Sequence, residues 1–190
     1  ITYYNNVIYG VNKYGSSVDS EGQYGIFVDL SSDVQIIHNS VYFRGSDGHI
    51  LSRCLYVGQS SGITLRNNCF YNIKSSDGLD LAIEVADVVS LVENHNFLSG
   101  SDGSVIGFTP DESSVALGDP LFMAENDLHI QIGSACQGIG QYISGFDFDA
   151  DENERFDPCD AGAYEIYEQT PGPTPTMTPE PSCPETSIEL

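Results

Sequence analysis

The sequence predicts an all-β solenoid: a right-handed parallel β-helix closed by a C-terminal cap and followed by a Pro/Thr-rich tail. Three observations carry that expectation. A serine, an acid and a glycine recur in that order at Ser20-Glu21-Gly22, Ser46-Asp47-Gly48, Ser76-Asp77-Gly78 and Ser101-Asp102-Gly103, at intervals of 26, 30 and 25 residues. Repeats of this length mark units that stack because none can bury its apolar face alone. Between these turns apolar residues alternate with others, as in Ile26, Val28 and Leu30, Val34 and Ile36, Leu55 and Val57, Ile63 and Leu65, which is the period of a strand. An asparagine corner then recurs after the second strand of each repeat, at Asn6, Asn39, Asn68 and Asn94 or His95.

Taken in order, each repeat of about 25 to 30 residues holds three short strands, each pairing in parallel with its counterpart about 4.8 Å away. Residues 25–30 match 54–59 and then 80–85, and residues 34–37 match 63–66 and then 88–91. That alignment predicts two inward columns, Val28, Val57 and Ile83 in one, Ile36, Leu65 and either Leu91 or Val92 in the other. Helical repeats are disfavoured, because nothing between Ser20 and Gly100 sustains i, i+3, i+4 apolar spacing. Asparagine tolerates the left-handed backbone of a sharp corner, and stacked amides can bond from repeat to repeat. His38 and His95 stand in or beside that ladder and read as corner residues rather than catalytic ones.

Six Lys and Arg stand against 28 Asp and Glu, a net charge of −22. Such a field repels phosphate backbones and anionic bilayers, so neither nucleic acid nor direct membrane insertion is expected. No apolar run approaches the roughly 20 residues of a membrane-spanning helix. Cys54, Cys69, Cys136, Cys159 and Cys183 show no zinc-ligand spacing. Cys136 and Cys159 flank an acidic loop and are candidates for a disulfide in an oxidising compartment, whereas Cys54 and Cys69 read as small buried hydrophobes.

The chain divides into repeats over 1–118, a cap over 119–168, a linker over 169–185, and over 186–190 the start of a truncated following domain. Proline and threonine dominate residues 170–184, a composition that builds no core and favours an extended spacer. Ile1 opens inside a strand-like segment, so the chain reads as the C-terminal piece of something longer.

The segment before the linker carries Asp119-Pro120-Leu121-Phe122, Asn126-Asp127-Leu128-His129-Ile130, Gly133-Ser134-Ala135-Cys136, Asp147-Phe148-Asp149 with Arg155, and Asp160-Ala161-Gly162-Ala163-Tyr164-Glu165. It resembles the C-terminal cap of bacterial surface β-helix repeat proteins of the choice-of-anchor type. Two departures stand out: Gln137-Gly138-Ile139-Gly140 replaces the usual Ile-Asp-x-Gly, and Glu152 stands where glycine would follow the third acid. The resemblance implies a secreted or cell-surface protein. A cap is also needed physically, because the end of a stack exposes an unpaired edge and an open core. Ile130, Ile132, Ile139, Ile143, Phe146, Phe148 and Tyr164 are the residues expected to cover it.

Three constellations are candidates for chemistry. Asp147, Asp149 and Asp151, with Glu154, alternate like the first half of a calcium loop; the favoured alternative is aspartates bonding their own turn and pairing with Arg155. Glu21, Asp47, Asp77 and Asp102 form an acidic ladder whose neighbours would stand about 5 Å apart, a spacing that suits a retaining glycosidase or a cation; an ordinary solvated turn is the favoured reading. Tyr24, Tyr42, Tyr56 and Tyr71 supply aromatic faces for sugars or for one another. Pectate lyases and polygalacturonases share the expected fold, yet their basic and acidic clusters have no counterpart here. The expectation is therefore an extracellular β-helix, monomeric, with no cofactor except a candidate calcium, that binds glycans or neighbouring cells. The alternatives are a carbohydrate-active enzyme, a lyase or glycoside hydrolase whose catalytic repeats lie wholly or partly upstream, and a structural spacer.

Overall fold

The computed structural model describes residues 1–11, 23–44, 51–73, 79–101 and 105–166. Its elements are all strands. After β1 (Thr2–Tyr4) and β2 (Val7–Val11) come three rounds of one pattern: β3 (Gln23–Asp29), β4 (Ser32–Ile37), β5 (Ser40–Arg44); β6 (Leu51–Gly58), β7 (Ser61–Arg66), β8 (Cys69–Ile73); β9 (Leu79–Ala86), β10 (Val89–Asn94), β11 (Phe97–Gly100). A short β12 (Val105–Ile106) begins another round, and β13 (Phe122–Ala124) and β14 (Asp127–Ile130) form an antiparallel hairpin. The repeats build three four-stranded parallel sheets, β1-β4-β7-β10, β2-β5-β8-β11 and β3-β6-β9-β12.

Parallel pairing sets like beside like, so one buried position in a repeat becomes a buried column. Val28 lies beside Val57 and Val57 beside Val85, Ile26 beside Leu55 and Leu55 beside Ile83. Val34, Ile63 and Leu91 form a column on the second sheet and Val41, Phe70 and Leu98 one on the third. Residues of all three sheets share a single apolar core.

Two of the expected columns differ in their third member. Val85, not Ile83, completes the Val28–Val57 column; a slip of two residues keeps the same face, so both are buried. Beside Leu65 stands Glu93 rather than Leu91 or Val92, and Val92 is 45% exposed. The cause is unequal turn length: from β3 to β11 residues on a strand column recur 28 or 29 apart, whereas the Ser-acid-Gly turns recur at 26, 30 and 25.

Left-handed residues recur with the strands. Leu30, Gln59 and Asp87 mark one corner (φ 49, 40 and 55°), Asp33, Gly62 and Ser90 a second site, and Asn5, His38, Asn67 and His95 the third (φ 52, 52, 55 and 56°). Each residue of that last set precedes a ladder asparagine. Asn6 donates through Nδ2 to Asn39 Oδ1 at 2.8 Å, Asn39 to Asn68 at 2.9 Å, and Asn68 to Asn96 at 2.9 Å. The fourth rung is therefore Asn96, two residues beyond Asn94 and one beyond His95. Asn96 Nδ2 continues to Glu93 Oε1 at 2.7 Å, and its backbone N–H goes to Ser114 Oγ at 3.0 Å.

The end of the stack is covered by residues that follow β12. Val115 bridges Phe97 in parallel, Phe108 packs against the core, and Glu93 receives Ser114 Oγ–H and the Asp111 N–H. Residues 119–166, expected to cover this end, instead run along the outer face of the β2-β5-β8-β11 sheet. There Ile130, Cys136 and Ala161 join Cys69 and Phe97 in a second apolar core, with Ile139 packed beside it. Phe146 reaches Tyr4 in the first repeat, ring centroids 4.7 Å apart, and Tyr4 Oη and Asn5 Nδ2 both donate to the Phe148 carbonyl. Ile132 and the Phe148 ring are mostly exposed. The segment is a lateral strap. At Gly162 it approaches the sheet closely: at φ 110° a Cβ would lie 2.6 Å from Ser40 Oγ and 3.1 Å from Cys69 Cβ, so only glycine fits.

Candidate functional site

The acidic ladder Glu21, Asp47, Asp77 and Asp102 lies outside the described residues. Asp147, Asp149 and Asp151 are described, and their carboxylates point to three different partners. Tyr142 donates its hydroxyl to Asp147 Oδ1 at 2.5 Å. Asp149 is buried and takes four hydrogen bonds: Oδ1 from the N–H groups of Asp151 (2.9 Å) and Asn153 (2.8 Å), Oδ2 from Asn153 Nδ2 (3.1 Å) and the Glu165 N–H (3.0 Å). Asp151 Oδ2 meets His129 Nε2 at 2.7 Å. Among the described residues no group of three or more His, Cys, Asp or Glu side chains is placed to hold a metal ion. Asp149 is thus the organiser of its own turn.

Arg155 does not pair with these aspartates as the sequence suggested. Almost fully buried, it forms an ion pair with Glu165 through Nη1 and donates through Nη2 to Asn5 Oδ1 and to the Gly162 and Ala163 carbonyls at 3.0, 3.0 and 3.1 Å. Burial pushes the Glu165 carboxyl up to about 7, against the Arg155 charge and the Asp160 N–H, which pull it down. Burial, and then the Arg155 charge, holds His38 well below the usual histidine range. His38 is therefore neutral, its Nε2 accepting from Asn67 Nδ2 at 2.9 Å.

A cluster that no sequence motif announced sits where the hairpin meets the acidic loop. His129 Nδ1 bonds Asp127 Oδ1 at 2.5 Å, Nε2 bonds Asp151 Oδ2, and the ring stacks on Tyr164 at 3.7 Å. It borders an open cavity of about 740 Å³ that Glu165 also lines. Both imidazole nitrogens are committed to carboxylates, so no lone pair or N–H remains for a substrate. The cluster is a clamp between β14 and the loop.

The four tyrosines are sorted onto two sheets. Tyr24 and Tyr56 lie with Phe27 on the outer face of the β3-β6-β9-β12 sheet, Phe27 stacked on Tyr56 at 5.1 Å. Arg53 stands over Tyr24, 5.4 Å from its centroid, and pairs with Glu84. Tyr42 and Tyr71 stack at 5.9 Å on the outer face of the β2-β5-β8-β11 sheet, and Phe122 meets both edge-on at 5.8 and 6.2 Å. These three rings form part of the wall of a cavity of about 310 Å³ whose polar lining includes Asp119, Glu125 and Gln131. Its size falls at the small end of sites for small ligands, about 300 to 1,000 Å³. Burial, and then the Asp119 charge, raises the Tyr71 phenol, which keeps its proton as a donor. Tyr71 was readable as an aromatic candidate; Phe122 and the acids were not, because the hairpin brings them there from about 50 residues downstream. Set against family models, curated proteins and solved structures, the chain matches none.

Proposed function

We propose that this chain is part of an extracellular or cell-surface right-handed parallel β-helix that binds neutral glycans, as an adhesion or carbohydrate-binding module. The cavity between Tyr42, Tyr71 and Phe122 is the observation that carries the reading. A sugar presents an apolar C–H face and a rim of hydroxyl donors. Here aromatic walls suit the first, and Asp119, Glu125 and Gln131 offer acceptors for the second. The charge of −22 favours uncharged sugars over polyuronates. A glycosidase would need a carboxylate pair flanking one bond; in this reading Asp119 and Glu125 of the cavity serve as acceptors for sugar hydroxyls.

The test is a glycan array followed by calorimetry on the intact chain, with Tyr71→Ala as the variant. Binding of a neutral oligosaccharide, weakened at least tenfold by Tyr71→Ala while the thermal transition is kept, supports the reading. New reducing ends or unsaturated products in the same mixtures would replace it with the enzyme reading. Absence of any binding would leave the spacer reading standing in its place.

A further inference from the structure

We propose that Cys69 and Cys136 form a disulfide that fastens the C-terminal strap to the third repeat, at the start of β8. Their sulfurs stand 2.7 Å apart and both side chains are fully buried, closer than two unbonded sulfurs ordinarily rest and near the bond distance of about 2.05 Å. Both backbones are pinned. Cys69 N–H bonds the Asn39 carbonyl at 2.8 Å, and its strand pairs on both sides, with Ser40 and Phe97. The Cys136 carbonyl receives the Ala161 N–H at 2.9 Å, and its own N–H goes to Ser134 Oγ at 3.0 Å. The two sulfurs therefore meet without backbone movement.

Among the described residues the two remaining cysteines are directed elsewhere. Cys54 lies in the inner core, on the opposite side of the sheet, with its Sγ–H toward the Val41 carbonyl at 3.6 Å. Cys159 Sγ faces Asn67 Nδ2 at 3.8 Å. The pairing suggested by sequence position, Cys136 with Cys159, is thus replaced by Cys136 with Cys69, residues 67 apart.

Formation of the bond removes two protons and two electrons, and a small-molecule disulfide such as oxidised glutathione accepts the electrons. The Cys136 thiolate attacks one glutathione sulfur and expels a glutathione thiolate; the Cys69 thiolate then attacks the Cys136 sulfur of the mixed disulfide and expels the second. In the folded chain burial holds the Cys69 thiol far above its usual range, so thiolate is scarce once the strap is seated. The bond forms while the strap is docking, and it is afterwards shielded from reductant.

Refolding the chain with a mixture of reduced and oxidised glutathione, then unfolding it in alkylating reagent and mapping its peptides without reduction, reads the pairing directly. The expected result is a linked Cys69–Cys136 peptide pair, two mass units lighter than the free thiols, with Cys54 and Cys159 alkylated. Adding reductant is expected to lower the melting temperature of the wild type by about 10 °C and to leave a Cys69→Ala, Cys136→Ala double variant unmoved. A Cys136–Cys159 link, or alkylation of both Cys69 and Cys136, overturns the proposal on the wild-type chain alone, whatever the variant does.

Discussion

Arg155 Nη2 donates to Asn5 Oδ1 at 3.0 Å, a contact spanning 150 positions in the chain. Through it, and through Glu165 and two carbonyls, one guanidinium ties the strap to the first repeat and to itself. The prediction is that Arg155→Ala destabilises the fold by about 3 to 5 kcal/mol in urea unfolding, since it strands a buried carboxylate and three acceptors. Arg155→Lys should recover little, because an ammonium cannot reproduce the fork. A loss below about 1 kcal/mol, the range of a surface pair, would show that the strap is not held here.

The asparagine ladder should be most sensitive at its middle. Asn68 Oδ1 accepts from both the Asn39 N–H and Asn39 Nδ2, and its own Nδ2 serves Asn96 and the Ile36 carbonyl. Asn68→Ala leaves these buried groups unpaired, at an expected cost of about 2 to 3 kcal/mol. Asn6, exposed with its Nδ2 on Asn39, should cost less than half as much when changed to Ala. Equal losses at the two sites, measured by the same unfolding midpoints, would refute a cooperative ladder.

Asp149 already takes four hydrogen bonds, so a calcium ion could reach it only by breaking them. Asp149→Ala is expected to lower the melting temperature by the same amount in calcium and in chelator, because the loss is that of a turn rather than of a ligand. A wild-type rise in calcium that this substitution removes would establish a metal loop after all.

Core columns give the sharpest test of register. Val57 is fully buried between Val28 and Val85, and Val57→Asp, an unpaired buried charge, should cost several kcal/mol or prevent folding. Val92→Asp, on the outward side, should cost less than about 0.5 kcal/mol. If Val92 instead belonged to the Leu65 column, the two substitutions would be comparably severe.

Strand period and corner residues were legible because alternation and left-handed backbone are written in single residues such as Val28 and Asn39. The register of the third round was not, since variable turns hide two-residue slips that leave the apolar pattern intact, as with Ile83 and Val85. The strap's position was hidden for a different reason. Cys69, Tyr71 and Phe97 make their strands apolar on both faces, the signature of a doubly covered sheet, yet in sequence Cys69 reads equally well as a small inner residue and Tyr71 as stacked on another tyrosine. His129 and Asp151, 22 residues apart, meet only because the strap folds back, so no local motif marks their cluster.

That cluster makes a pH prediction whose sign follows from its hydrogen bonds. Burial alone would lower the His129 pKa, but hydrogen bonds to Asp151 and Asp127 outweigh it and raise it above the usual value of about 6.5. Its contribution to stability is then complete below about pH 6.5 and fades as pH rises through the raised folded value. Hydrogen bonds from His129 depress the Asp127 carboxyl, so the Asp127 contribution is present above its usual value of about 3.9 and is lost as pH falls through the depressed one. Between those limits His129 and Asp127 both carry their charge, with Glu165 lining the same cavity. His129→Gln should therefore lower the melting temperature more at pH 5.5 than at pH 9. Because the imidazole is about 41% exposed, the difference should be modest and should shrink in high salt. An identical shift at both pH values would mean that His129 acts only through its stacking on Tyr164.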